Sequence, residues 1–193
     1  MKKDCKNFLK KRRIMLETLE DRRLLAVMGG ALPMPQPTGA EIIVNSTTDP
    51  RTWSDTDTTV SLREAIETAQ DGDVIKFDAK LNGKTITLST STLLVTKSVT
   101  IDASNLSNGV SVSGNGARGI FVLGDWGDGG ESTGDITVQM NNLSLVKGNS
   151  RREQGGAIKS ADNVTLTLND CTIENCESLG DGGGIFSLGS HDE

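Results

Sequence analysis

Two stretches of this chain, ITVQMNNLSL at 136–145 and VTLTLNDCTI at 164–173, align without a gap, so that Ile136 corresponds to Val164. In both stretches apolar residues alternate with polar ones at a period of two, which is typical of a strand with one buried face. The alternation changes phase at the Asn-Asn of the first stretch and the Asn-Asp of the second. An Asn in the left-handed region would bend the chain there. Each unit is therefore predicted to contain a strand, a sharp bend and a second strand.

A second pair of segments, GGAI ending at Ile158 and GGGI ending at Ile185, recurs at nearly the same spacing. Repeats of this length are typical of stacked architectures, in which each unit buries its apolar face against its neighbours. We therefore predict an all-β parallel β-helix with like apolar residues stacked on one another. The predicted core stack consists of Ile136, Val138, Met140, Leu143, Leu145, Val164, Leu166, Leu168, Cys171 and Ile173.

The composition favours strands joined by tight turns. Aromatic residues make up only 3% of the chain and Tyr is absent, so the interior must be built from Val, Ile, Leu and Ala. The chain holds 22 Gly but only 4 Pro. Many Gly with little Pro indicate turns rather than a disordered linker.

VSLREAIETAQDGD at 60–73 is the one stretch after residue 40 that predicts a helix. Ser61 and Glu64 form a capping-box pattern, and Val60 and Ala65 are placed for a hydrophobic staple. The Asp-Gly-Asp at its end is expected to stop the helix. Because the open first coil of a β-helix exposes unpaired backbone groups, we expect this helix to cover it; packing on the side of a sheet is the alternative. The predicted cap residues are Ser61, Leu62, Glu64, Ala65, Ile66 and Ala69.

The net charge of −6 is unevenly distributed. Residues 1–25 hold nine Lys and Arg against four Asp and Glu, a charge of +5 that leaves −11 for the rest. Such an acidic body argues against nucleic-acid binding. We interpret residues 1–40 as a basic export or processing segment, largely disordered or helical. Residues 41–193 are predicted to form the cap and first coils of the β-helix, truncated at the C-terminal end. No stretch reaches the ~20 apolar residues that a transmembrane helix needs.

LETLEDRRLLAV at 16–27 resembles the N-terminal Leu-Glu-x-Leu-Glu-x-Arg-x-Leu-Leu motif of large exported proteins of planctomycete bacteria. In that group the motif precedes the mature extracellular region. The resemblance therefore implies export or association with the cell surface. An ordinary amphipathic helix with Leu at helical spacing is the alternative.

SLREAIETAQDGDVIKFDAKLNGKTITL at 61–88, followed by SVTIDAS, VSVSGNGARGIFVL and the Gly-Gly-x-Ile units, resembles the CSLREA family of surface β-helix proteins. The resemblance covers about residues 60–188 and implies right-handed coils preceded by the helix. This chain has Val60 where that family has Cys, a position that would support the cap. The GGAI segment is also similar to repeats of chlamydial polymorphic membrane proteins, whose companion Phe-x-x-Asn repeat is missing here.

One predicted loop is longer than its counterpart in the next unit. It runs from Ile120 to Ile136, whereas the matching segment runs only from Ile158 to Val164. The insertion GDWGDGGEST carries carboxylates that can bind Ca²⁺ and an aromatic ring that can stack on a sugar. It lacks the spacing of an EF-hand, so a solvated loop is the favoured interpretation. The candidate ligand or calcium residues are Asp125, Trp126, Asp128 and Glu131.

Catalytic residues are not indicated. A polysaccharide lyase needs a carboxylate cluster with a base, and a glycoside hydrolase needs paired carboxylates, but no such constellation stands out. The cysteines, Cys5, Cys171 and Cys176, have no metal-binding spacing. Cys171 is predicted to be a buried thiol, Cys176 aligns with Gly148 of the previous coil, and a disulfide between the two is not expected. No metal, nucleotide or organic cofactor is indicated.

We therefore predict an exported, extracellular or cell-surface β-helix with a structural or adhesive, non-catalytic role. Its partners would be surface glycans or proteins. The alternative is a carbohydrate-active β-helix enzyme, either a polysaccharide lyase or a glycoside hydrolase.

Overall fold

The computed structural model describes residues 39–50, 58–124, 126, 134–151 and 154–188. The chain divides into two units, Met1–Met34 and Pro35–Glu193, and every described residue belongs to the second. The predicted export motif therefore lies outside the described residues. So do three of the four candidate loop residues, Asp125, Asp128 and Glu131.

The described residues form one α-helix, one 3₁₀ turn at Ala79–Leu81 and fifteen β-strands. The helix α1 is Leu62–Thr68. The strands are β1 Glu41–Val44, β2 Asp73–Phe77, β3 Thr85–Thr87, β4 Leu93–Val95, β5 Val99–Asp102, β6 Val110–Ser113, β7 Phe121–Leu123, β8 Ile136–Asn141, β9 Leu143–Val146, β10 Asn149–Ser150, β11 Ile158–Ser160, β12 Val164–Asn169, β13 Thr172–Glu174, β14 Glu177–Ser178 and β15 Ile185–Ser187.

Three parallel sheets and one short pair contain all of these strands. Sheet 1 has the order β1-β2-β5-β8-β12, sheet 2 the order β3-β6-β9-β13, and sheet 3 the order β4-β7-β11-β15, while β10 pairs with β14. From β2 onward the chain visits sheets 1, 2 and 3 in that order four times, so each strand pairs with the strand one circuit away. The prediction of a mostly β fold built from parallel strands is confirmed.

The register of these pairs follows the spacing in the sequence. Ile136 pairs with Val164, as the alignment of the two repeat stretches predicts. Ile158 pairs with Ile185, as the Gly-Gly-x-Ile repeat predicts. Since the pairs are parallel and in register, inward positions of successive circuits stack like on like and fill one continuous core.

Burial within the predicted core stack changes from one circuit to the next. The residues of β8 and β9 in this set are buried, namely Ile136, Val138, Met140, Leu143 and Leu145. Their partners one circuit later are only partly buried against the same core, namely Val164, Leu166, Leu168, Cys171 and Ile173. The cause is position: β12 and β13 are the outermost strands of their sheets and have a neighbour on one side only.

The bend before each strand of sheet 2 uses residues in the left-handed region. At this position φ is 67° at Gly83, 56° at Gly109, 55° at Asn142 and 51° at Asp170. The structure therefore has an Asn at the bend of the first repeat unit and an Asp at the bend of the second, two residue types that tolerate positive φ. Asn142 Nδ2 also donates to the carbonyls of Ala103 and Leu106, at 3.1 and 2.7 Å. Its side chain thereby ties the bend to the preceding circuit.

The helix α1 begins at a complete capping box. Glu64 N donates to Ser61 Oγ at 3.2 Å, and Ser61 N donates to Glu64 Oε2 at 3.4 Å. The helix ends at Thr68, before the Asp-Gly-Asp that we expected to stop it, because Ala69 already has an extended ψ of 148°. The earlier end keeps the side chain of Ala69 fully buried.

The apolar face of α1 packs at one end of the sheets. Leu62 is 1% exposed and Ala65 is fully buried, while Ile66 joins the same core cluster. The helix contacts β1 and β4, which are the outermost strands of sheets 1 and 3. Burying this face covers apolar surface that the first circuit would otherwise leave in water, at about 25 cal/mol per Å².

Candidate functional site

The outward face of sheet 3 carries a column of side chains that do not pack in the core. Leu93, Phe121 and Ile158 point inward and are buried. The residues that follow them, Leu94, Val122 and Lys159, are paired with one another in register. Because side chains alternate along a strand, this second set faces outward. Leu94 is 54% exposed, so apolar surface on this face is open to solvent.

A groove of about 560 Å³ lies along this outward face. Its volume is within the range of small-molecule binding sites, roughly 300–1,000 Å³. Its lining includes the three cations Arg118, Arg151 and Lys159, together with hydrogen-bonding residues such as Asn149 and Gln154. None of the described residues that line it is Asp or Glu. The groove thus combines positive charge, amide and hydroxyl groups and an apolar floor.

Arg118 is the most unusual residue of the groove. Its Nη1 atom is buried and has no hydrogen-bond partner among the described residues. A buried donor without a partner costs about 1–3 kcal/mol, and more when the group is charged. The backbone at this position is firmly held, because Arg118 O accepts from Asn149 N at 2.8 Å. Arg118 therefore lines the groove from a held backbone position and has one buried donor unused.

Trp126 is the one candidate of the long loop that the structure describes. Its Nε1 donates to the carbonyl of Leu123 at 3.2 Å, which fixes the indole ring next to the end of β7. Lys159 Nζ lies 4.0 Å from the centroid of that ring, within the range of a cation–π contact. The candidate ligand residue Trp126 therefore contacts Lys159, which lines the groove. Among the described residues no group of three or more His, Cys, Asp or Glu could hold a metal ion.

The predicted alignment of the long loop was wrong by one position. Phe121, not Ile120, pairs with Ile158. The hydrogen bonds recur one circuit later: the N–H groups of Ile120 and Phe121 both donate to the carbonyl of Ala157, at 3.1 and 2.8 Å, and those of Ala157 and Ile158 both donate to the carbonyl of Gly184, at 2.8 and 3.1 Å. Ile120 therefore corresponds to Ala157, and Phe121 to Ile158. Counted from Phe121, the segment up to Ile136 is therefore one residue shorter than the sequence predicted, and the loop itself begins after β7 ends at Leu123.

Sequence reasoning missed a buried ion pair behind the groove. Arg63 Nε donates to Asp49 Oδ1 at 2.7 Å, and Arg63 Nη2 donates to Asp49 Oδ2 at 3.2 Å. Arg63 is 6% exposed and Asp49 is 7% exposed. The guanidinium also donates to the carbonyl of Ser91 at 2.6 Å, and Ser91 lines the groove. The pair therefore joins α1 to the segment that forms one wall of the groove.

Asp49 is ionised in this arrangement. Burial alone would raise the pKa of its carboxyl, but hydrogen bonds from Arg63 and from the backbone N–H groups of Thr90 and Ser89 outweigh burial and lower the pKa. The backbone bonds are 3.0 and 2.7 Å long. The only signal in the sequence was an Arg directly beside the apolar face of a short helix. Asp49 lies in a loop without periodicity, so nothing pointed to the pair.

The two described cysteines are free thiols. Burial raises the pKa of both Cys171 and Cys176, so both are protonated at neutral pH. Gly148 N donates to Cys176 Sγ at 3.3 Å, which agrees with the alignment of these two positions in the sequence. A protonated thiol held by backbone groups is a poor nucleophile. Both residues serve the packing of the last circuits.

No described helix is long and apolar enough to span a bilayer. The resemblances in the basic head and in the body stay predictions. No protein-family model, no curated protein and no solved structure matches this chain.

Proposed function

We propose that this chain is an exported, surface-associated right-handed parallel β-helix with a structural and adhesive role. The observation that carries the β-helix in this proposal is the cyclic order of the strands, with three parallel sheets visited in turn and each strand paired one circuit away; the resemblance at 16–27 supports export. A right-handed sense is supported by the strong preference of parallel-strand connections for that hand. Stacked circuits present a long, rigid outer surface, which suits contact with surface polymers.

A non-catalytic role is supported by the state of the carboxyl groups near the core. Two described carboxyl groups have a clearly shifted pKa, and in both the shift is downward. Burial opposes ionisation of Asp49 and Asp102, but hydrogen bonds from Arg63 to the first and from Ser104 and Asn141 to the second lower the pKa of each. A general acid needs the opposite shift, a pKa raised toward neutrality. These two groups therefore act as structural anchors.

The alternative function is that of a carbohydrate-active β-helix enzyme. One observation favours it: Arg118 and Lys159 line a groove beside Trp126, and a lyase acting on an acidic sugar needs cations to neutralise the substrate carboxylate and a base to take a proton. Turnover would separate this function from adhesion.

Two experiments test the proposal. In the cells that produce the protein, added protease should degrade the chain while cytoplasmic markers stay intact; protection of the whole chain inside intact cells would contradict export. The purified full chain should release no reducing ends and no unsaturated uronates from a panel of neutral and acidic polysaccharides. Saturable release that Lys159→Gln abolishes would replace adhesion with the enzymatic alternative.

A further inference from the structure

We propose that the groove on sheet 3 binds an acidic polysaccharide, with the carboxylates of the sugars held by Arg118, Arg151 and Lys159. This inference rests on the adhesive role proposed above and specifies its ligand. It also assigns a function to a surface beside which sequence analysis placed one candidate residue, Trp126.

The charge of the groove differs from the charge of its surroundings. The chain beyond residue 25 carries a net −11, yet three cations and no described carboxylate line this one groove. Arg118 and Arg151 carry like charges on this surface, and a bound anion would lower the repulsion between them. A region of one sign on a protein of the other sign also concentrates a complementary ligand locally.

Among the three cations, Arg118 is the best matched to a carboxylate ligand. The residue lines the groove, and its buried Nη1 donor lacks a partner among the described residues. A guanidinium can donate two parallel hydrogen bonds to one carboxylate, a geometry that a Lys ammonium does not offer. A sugar carboxylate bound at Arg118 would accept from the guanidinium and neutralise its charge.

The other lining groups fit a sugar ring. Leu94 and Val122 form an apolar floor, and the indole of Trp126 contacts Lys159 beside the same column. Sugars have apolar C–H faces that pack on such surfaces. Gln154 can hydrogen-bond the ring hydroxyls, and so can the amide oxygen of Asn149, whose Nδ2 already donates to Glu177.

Peptides and nucleic acids fit less well. A peptide that binds as an added strand needs a free sheet edge, but β7 under the groove is paired with β4 and β11, and the outermost strand β4 contacts α1. Duplex nucleic acid carries about one charge per 1.7 Å, which three cations on an acidic protein cannot balance. A polyuronate carries one carboxylate per sugar, a much lower charge density.

The test uses the full chain and polygalacturonate as the probe. Affinity electrophoresis should show saturable retardation by polygalacturonate, weakened by added salt, and none by the neutral polymer dextran. Arg118→Gln should weaken retardation about tenfold, the equivalent of one charge-assisted pair. Lys84→Gln is the matched control, since Lys84 is an exposed cation before β3 on another sheet. It should change retardation less than twofold.

The outcomes are distinct. Absence of retardation by polygalacturonate, equal weakening by Lys84→Gln, or tighter binding of single-stranded oligothymidylate would overturn the proposal. If Arg118→Gln fails to give the wild-type circular dichroism spectrum, Arg151→Gln carries the same test, because Arg151 is exposed and outside any strand; a threefold loss is expected. Protease exposure on cells without polymer binding would overturn this inference alone. Polymer binding by a chain confined to the cytoplasm would overturn the export proposal alone.

Discussion

The two ends of the stacked sheets consist of equivalent strands, but their apolar side chains are covered to different degrees. At the first end α1 packs on β1 and β4 and is tied by the buried pair of Arg63 and Asp49. At the other end β12, β13 and β15 are outermost, and Ile185 and Leu188 are 40% and 41% exposed. Stacking like residues therefore aligns the circuits, but it buries a residue only where a further element covers it.

The largest expected effect concerns the closed end. Replacing Arg63 with Ala should lower the free energy of unfolding by about 3–5 kcal/mol, because Asp49 would stay buried without its partner. Urea denaturation followed by circular dichroism measures the change. Glu67→Ala on the exposed side of the same helix is the control, with an expected change within about 0.5 kcal/mol. A loss below about 1 kcal/mol for Arg63→Ala, within the range of an exposed ion pair, would mean that this pair does not hold the helix on the sheets.

The next effect compares one column of the core at two depths. Ile158 is fully buried and Ile185, its partner one circuit later, is 40% exposed. Ile158→Ala should cost about 2–5 kcal/mol, because it removes buried methyl groups and leaves a cavity. Ile185→Ala should cost roughly 1 kcal/mol, since part of the side chain already contacts water. Equal losses in urea denaturation would show that the last circuit is as well covered as the interior.

The positions that the sequence predicted correctly are those governed by periodicity. Ile136 aligns with Val164 because alternation at a period of two, repeated once per circuit, admits one register that stacks apolar on apolar. The capping box could also be predicted from the sequence, because it needs only Ser61 and Glu64 at a fixed local spacing. Both signals are local or strictly repeated.

The features that the sequence did not reveal depend on contacts between unrelated segments. Ile120 and Phe121 are adjacent and both apolar, so periodicity could not tell which of them pairs with Ile158. The groove combines Arg118 of one circuit with Asn149 and Lys159 of the next, at positions where alternation predicts only that a side chain meets solvent. Charge clusters of this kind become visible only when the circuits are stacked.

Low pH should destabilise the fold through Asp49, at the end of the sheets that α1 covers. The pKa of Asp49 in the folded protein lies below its ordinary value of 3.8, so ionised Asp49 stabilises the fold above that value and loses this contribution as the pH falls below it. The midpoint of urea unfolding should therefore decline steeply below about pH 4. Asp49→Asn should be less stable at neutral pH but should decline less on acidification. Parallel curves for the two proteins from neutral pH down through the ordinary carboxyl range would contradict this role of Asp49.

The smallest effect concerns the bend before sheet 2, again at two depths. Asn142 and Asp170 both have positive φ, which Gly adopts without steric cost, but Gly also gives the unfolded chain more freedom. For the exposed Asp170 these two terms should nearly cancel, so Asp170→Gly is expected to change the free energy of unfolding by less than about 0.5 kcal/mol. Asn142→Gly also removes the hydrogen bonds to the carbonyls of Ala103 and Leu106 and should cost about 1–2 kcal/mol in thermal or urea denaturation. If both variants changed stability equally, the Asn142 side chain would contribute only its backbone angle, and the tie between circuits would have to come from the strand pairs alone.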